Sequence, residues 1–94
     1  MSVTLFQENP SPVAIVVAGD DGRMRRVDVG ESLDAIRPHI GEPIYEAPLE
    51  QWGTLTANVR VMLFPAGQKF KINTALVFSE GKLAVIGRFE ESKS

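Results

Sequence analysis

The chain has 94 residues, of which 44% are apolar and 23% charged, with no cysteine, one histidine and a net charge of −2. This length predicts a single domain, residues 1–94, with a modest core. The absence of cysteine excludes disulfides, thiolate zinc sites and cysteine nucleophiles. A lone histidine, His39, excludes multi-histidine metal sites.

The charges are divided unevenly along the chain. Residues 1–50 have a balance of −5, whereas residues 51–94 have a balance of +3. A sequence pI near 5.3 argues against binding to duplex nucleic acid, which requires a dominant basic field. The apolar runs are too short for a membrane helix, and the first seven residues lack the basic start of a secretory signal. We therefore expect a soluble, cytoplasmic protein that does not enter a membrane.

The N-terminal third of the chain predicts a strand, a connector and a hairpin. Residues 1–12 comprise a short strand, Val3–Gln7, and a proline-rich connector. The uninterrupted β-branched run Val13–Ala18 is typical of a strand that is buried on both faces. The turn residues Gly19–Gly22 then lead into a returning strand, Arg23–Val29, which predicts a β-hairpin.

One short helix is predicted over about residues 32–40. Leu33, Ile36 and Ile40 recur at helical spacing and define one apolar face. Ser32 precedes them and is a suitable N-cap. We expect this apolar face to lie on a sheet.

The remainder of the chain predicts further strands. Pro43–Leu49 is extended, but its prolines restrict it to an edge strand or a bulged strand. Val59–Phe64 is a clear strand with alternating faces. Strands are also predicted at Lys69–Phe78 and Leu83–Phe89, followed by a polar tail, residues 90–94, that is expected to fray. These elements together predict an α+β fold: a strongly twisted, mostly antiparallel sheet or small barrel of five to seven strands with one short helix.

Several short motifs carry a family resemblance. They are Ile40–Gly41, Ile44–Glu46, Val59–Leu63, Gly67–Lys69, Ile72–Asn73 and Ile86–Gly87. Over about residues 13–89 the chain resembles the small family labelled domain of unknown function 3846, which is common in phages, plasmids and other bacterial mobile elements. Family members more often have a second glycine where this chain has Glu42. The resemblance implies a phage or mobile-element origin and no recorded catalytic chemistry.

Basic residues in the second half form the candidate binding surface. Lys69, Lys71 and Asn73 share one face of the predicted strand, Arg88 lies beside them if the last two strands pair, and Arg60 joins from the preceding strand. Three or four donors on one face suit a phosphate or a nucleotide. The alternative is a solvated face whose lysines protect a sheet edge.

Trp52 is the remaining candidate, in a segment that is either a loop or a ragged strand. A lone tryptophan in such a segment covers a core, or it anchors an interface or a stacked ligand. Tryptophan suits the second role because it supplies a large contact area with few rotatable bonds.

No pattern in the chain assembles a nucleophile with a base, or a set of metal ligands, so we expect a non-enzymatic protein without a cofactor. The first hypothesis is a small interaction protein of phage or mobile-element origin that binds and modulates a host protein, for example in counter-defence. The second is an oligomer that sequesters a nucleotide or a nucleotide-like anionic signal. The third is a structural homodimer without a ligand.

Overall fold

The computed structural model describes residues 2–8, 10–19, 21–48 and 59–92. In chain order the elements are β1 (Ser2–Phe6), β2 (Ala14–Ala18), β3 (Met24–Asp28), α1 (Leu33–Ile40), β4 (Tyr45–Pro48), β5 (Val59–Phe64), β6 (Thr74–Ser79) and β7 (Lys82–Ser92). Five strands form one antiparallel sheet in the order β1-β7-β6-β5-β4, and β2 and β3 pair as a separate antiparallel hairpin. The predicted α+β class is confirmed. The larger sheet is open, with β1 and β4 at its edges, and is not a closed barrel.

The five-stranded sheet is buried on both faces at its centre. Successive side chains of a strand point to opposite faces, so Met62 and Phe64 of β5 lie on one face and Val61 and Leu63 on the other. All four side chains are at most 6% exposed. The first face packs against the hairpin and α1, including Ile36, and the second face forms a smaller apolar cluster. The predicted alternation of this strand is confirmed.

The helix α1 lies on the sheet through Leu33, Ile36 and Ile40, which are buried as their spacing predicts. The predicted side-chain cap at Ser32 is wrong, because the Ser32 hydroxyl makes no capping hydrogen bond to this helix. The first turn is held instead by the β6–β7 turn, where the Leu33 amide donates to the Gly81 carbonyl oxygen at 2.8 Å. No helix in the described ranges has both the length and the apolar composition needed to cross a bilayer.

The hairpin of β2 and β3 has one buried and one exposed face. Val17 of β2 and Val27 of β3 both lie on the buried face and are 1% and 0% exposed. On the opposite face Val16 and Met24 are 47% and 54% exposed. The prediction that Val13–Ala18 is buried on both faces is therefore wrong, because this two-stranded sheet has a core on one side only.

The predicted strand Lys69–Phe78 begins five residues later, since β6 starts at Thr74. Residues 65–73 form turns and bends, within which the Gly67 amide donates to the Phe70 carbonyl oxygen at 2.8 Å. The alternation of polar and apolar residues before Thr74 is consequently not a strand pattern. The same alternation arises here from a loop that buries one aromatic side chain, Phe70, between exposed residues.

The end of β7 differs from the prediction of a frayed tail. Residues 90–92 continue the strand and pair with β1, with Glu90 opposite Thr4 and Glu91 opposite Val3. The prediction that the chain frays from residue 90 is therefore wrong for residues 90–92, because the N-terminal strand pairs with them. This pairing also brings the connector after β1 to the side of β7.

Candidate ligand-binding cleft

A cleft with a volume of about 300 Å³ opens between the hairpin and the five-stranded sheet. Ile15 from β2 and Phe70 from the loop before β6 contribute apolar wall. Three charged side chains also line the cleft: Glu8 from the connector, Lys71 from the loop and Arg88 from β7. Apolar walls with a few convergent polar groups are typical of binding sites.

The two walls of the cleft are joined at one end. The Ala18 amide donates to the Lys69 carbonyl oxygen at 3.0 Å, and the Lys69 ammonium group donates to the Ala18 carbonyl oxygen at 3.5 Å. The next residue, Phe70, is 4% exposed and stacks on Phe64 with ring centroids 4.7 Å apart. Because Phe70 is anchored in the core, the loop leaves β2 after Lys69. The gap between the diverging chains is the cleft.

Arg88 is oriented by several neighbours but stays accessible. It lies on β7 opposite Thr74 of β6 and Phe6 of β1. Its guanidinium carbon is 4.5 Å from the centroid of the Phe6 ring, a cation–π distance. Its nitrogens are 3.5 Å from a Glu8 carboxylate oxygen and 3.4 Å from one of Glu90, whose side chains are 62% and 64% exposed. Ion pairs this exposed contribute little stability and exchange readily with an incoming anion.

Lys71 supplies the second cation of the cleft. Its side chain is exposed, and it forms no ion pair with a described residue. The cross-strand pair of Thr74 and Arg88 brings the two cations to one cleft, because Lys71 precedes Thr74 by three residues. The cleft therefore presents one ammonium group without an ion pair among the described residues and one guanidinium group that contacts two exposed carboxylates, those of Glu8 and Glu90.

The predicted basic face of the strand is wrong in its geometry. Lys69, Lys71 and Asn73 precede β6 and lie in the loop, where the two-residue alternation of a strand does not apply. The side chain of Asn73 is directed within the loop, where its oxygen accepts a hydrogen bond from the Ala66 amide at 2.8 Å. Of the five predicted surface residues that fall within the described ranges, only Lys71 and Arg88 line the cleft.

Arg60 lies at a different part of the sheet. On β5 it is opposite Phe78, four residues along β6 from Thr74 at the cleft, a separation of about 13 Å along a strand. Its Nε donates to a Glu46 carboxylate oxygen at 3.0 Å. The remaining predicted residue, Trp52, lies outside the described residues.

Nine of the eleven described residues that line the cleft were not predicted from the sequence, among them Glu8, Val16 and Ile72. Glu8 belongs to the connector and reaches Arg88 because β1 pairs with β7, a long-range contact without a local signal. Val16 and Ile72 are 47% and 56% exposed. No sequence signal marked either residue, because Val16 was predicted in a strand buried on both faces and Ile72 in a strand that the structure shows to be a loop.

Metal coordination is not supported by the geometry. Across the described ranges, no group of three or more histidine, cysteine, aspartate or glutamate side chains is placed to hold an ion. The single histidine, His39, is exposed in the last turn of α1 and does not line the cleft. What the cleft offers is therefore apolar surface with cationic hydrogen-bond donors.

We compared the chain with known protein families, with curated proteins and with solved structures, and none of these comparisons finds a match. The resemblance to the domain of unknown function 3846 stays a prediction. The fold and the cleft are thus the basis for a functional proposal.

Proposed function

We propose that this chain is a non-catalytic binding protein that recognises a partner protein at the cleft. The observation that carries the proposal is the exposure of aliphatic side chains at the cleft. Val16 and Ile72 both line it and are 47% and 56% exposed, and Val13, just before β2, is 69% exposed. Exposed apolar side chains grouped beside charged residues are typical of protein interaction surfaces.

The cationic side chains of the cleft are complementary to an anionic region on the partner. Lys71 and Arg88 are the cations of the cleft, and Glu8 shows that a carboxylate is accommodated beside Arg88. The family resemblance supplies the biological setting of the proposal, in which a phage or mobile-element protein acts on a protein of its bacterial host.

Affinity capture from a bacterial lysate with matched variants tests this proposal. Ile72→Asp places a charge at the cleft, whereas Ile44→Asp changes an isoleucine that is equally exposed, at 53%, but does not line the cleft. We expect the wild type and Ile44→Asp to retain the same stoichiometric partner and Ile72→Asp to lose it. Equal retention by all three proteins, or no retained partner, contradicts the proposal.

A small anionic ligand is the second candidate, because the cleft volume of about 300 Å³ is at the lower end of small-molecule sites. A nucleotide with an apolar base would place its phosphate beside Lys71 and Arg88. A thermal-shift panel of nucleotides tests this, since a ligand at about 100 times its Kd adds about 2.7 kcal/mol of stability. Stabilisation that Lys71→Glu removes, together with no retained protein, would favour this candidate over the first.

A further inference from the structure

Among the described residues, the edge of strand β2 that faces away from β3 is largely unpaired. The Gly19 amide donates to the Arg23 carbonyl oxygen at 2.7 Å, and the Val29 amide donates to the Val13 carbonyl oxygen at 2.9 Å. Hydrogen-bonded pairs alternate with non-bonded pairs in an antiparallel ladder, so the odd-numbered residues of β2 bond to β3. The even-numbered residues direct their N–H and C=O groups away from the hairpin.

This edge is satisfied at one position only. The Ala18 amide bonds to the loop carbonyl of Lys69, as described above. Within the described chain, the outward N–H and C=O groups of Ala14 and Val16 have no backbone partner. An unpaired strand edge is a template for pairing with another extended chain.

The free edge borders the cleft. Ile15 and Val16 line the cleft from β2, and Lys71 and Ile72 line it from the loop that diverges from β2 after Lys69. The cleft is therefore flanked by a hydrogen-bonding strand edge, by exposed aliphatic side chains and by cations. These are the features that bind an extended peptide by strand addition, in which main-chain hydrogen bonds supply affinity and alternate side chains supply specificity.

The chain already places a carboxylate in the cleft. Glu8 lies in the connector after β1, and its carboxylate is 3.5 Å from the Arg88 guanidinium group. Both side chains are partly exposed, so this contact can be replaced by a carboxylate from another molecule. The charge complementarity between Arg88 and an acidic side chain is thus visible within the protein itself.

From these observations we infer that the cleft binds a short extended segment of the partner as a strand added to the Ala14–Val16 edge of β2. Aliphatic side chains of the segment pack against Val16 and Ile72, and an acidic side chain lies beside Lys71 and Arg88. The inference rests on the proposed function and specifies the chemistry of the partner: an acidic, β-branched, extended peptide.

A random heptapeptide library displayed on phage and selected on the full-length protein supplies the probe. We expect selected peptides to alternate β-branched and acidic residues and to lack proline at their centre. Synthetic copies are then titrated by fluorescence anisotropy, and backbone amide hydrogen exchange is measured at saturation. Strand addition slows exchange of the Val16 amide, whereas the amides of β4, away from the cleft, keep their rates.

Three variants test the separate parts of the site. Val16→Pro removes the outward N–H at a position where an edge strand tolerates proline, and Val16→Ala keeps the N–H as its control. The loss of one hydrogen bond predicts an affinity about five- to tenfold weaker for the proline variant. Lys71→Glu weakens binding about tenfold, whereas Lys82→Glu, an exposed lysine outside the cleft, does not. Glu8→Gln strengthens binding, because one of the two carboxylates that contact Arg88 is removed.

The outcomes separate this inference from the proposed function. A captured partner that depends on Ile72, combined with unchanged Val16 amide exchange, overturns strand addition and leaves the proposed function intact. Selected peptides without acidic residues, or with equal affinity for Lys71→Glu, also overturn the inference. Saturation of the cleft by a nucleotide with no selected peptide overturns both.

Discussion

Replacing Gly87 with alanine is expected to destabilise the protein by about 2 kcal/mol. A Cβ added at Gly87 would lie 2.6 Å from the Phe6 carbonyl oxygen. Carbon–oxygen contacts between strands are ordinarily about 3.3–3.6 Å, so β1 and β7 would have to separate locally by roughly 0.7–1 Å. That movement disturbs a five-residue pairing in which Leu5 also packs against the apolar cluster of the second face. Overpacking that displaces backbone typically costs about 1–3 kcal/mol.

Urea denaturation followed by circular dichroism measures the change in the free energy of unfolding. Gly67→Ala is the matched control, because no atom lies within 4 Å of its added Cβ and its φ is outside the left-handed region. We expect the control to stay within about 0.5 kcal/mol of wild type. For a domain of this size, about 2 kcal/mol corresponds to a Tm lower by roughly 8–16 °C. A Gly87→Ala protein as stable as the control would refute the close approach of β1 to β7.

Three further substitutions test other parts of the structure. Ile36→Ala, at a fully buried position of α1, should lower the free energy of unfolding by about 2–5 kcal/mol in the same assay; less than 1 kcal/mol would contradict its burial. Glu31→Ala removes the acceptor of the Asp28 amide, a hydrogen bond of 2.7 Å, and should cost about 1–3 kcal/mol, with faster amide exchange at Asp28. Arg60→Ala should change the free energy of unfolding by less than about 1 kcal/mol and leave binding at the cleft unchanged. Weaker binding by this variant would show that Arg60 belongs to the binding surface.

Local sequence patterns predicted the structure correctly where the residues of a single element determine it. The spacing of Leu33, Ile36 and Ile40 predicted the buried face of α1, and the residues Gly19–Gly22 predicted the hairpin. The alternation within Val59–Phe64 predicted which side chains share a face of β5. In each case the period of the backbone and the chemistry of the turn act over a few residues, so the tertiary structure does not alter them.

Local sequence patterns led to wrong predictions where the same pattern is compatible with two different structures. The alternation from Lys69 to Thr74 is equally compatible with a strand and with a loop that inserts Phe70 into the core. The polar residues 90–92 are compatible with a frayed end and with a strand whose partner is at the other end of the chain. Periodicity does not distinguish these alternatives, because the deciding contacts are long-range.

The amino-acid composition indicates part of the chemistry that is available to the chain. Without cysteine and with one exposed histidine, the chain's chemistry is restricted to carboxylates, basic donors and apolar surface. The positive balance of residues 51–94 includes Lys71 and Arg88, which both line the cleft. It did not indicate that an acidic residue of the first half, Glu8, lies beside them.

The sequence by itself determined the α+β class, the helix, the hairpin and the two cations, since each depends on residue type and short-range spacing. The tertiary structure alone decided the cleft. Its walls come from β2, the loop before β6, and β7, and its carboxylate arrives through the pairing of β1 with β7. The free edge of β2 exists because the loop is anchored at Phe70 and diverges from the hairpin. Such a site depends on how separate elements pack, and that packing is a property of the whole chain rather than of any segment.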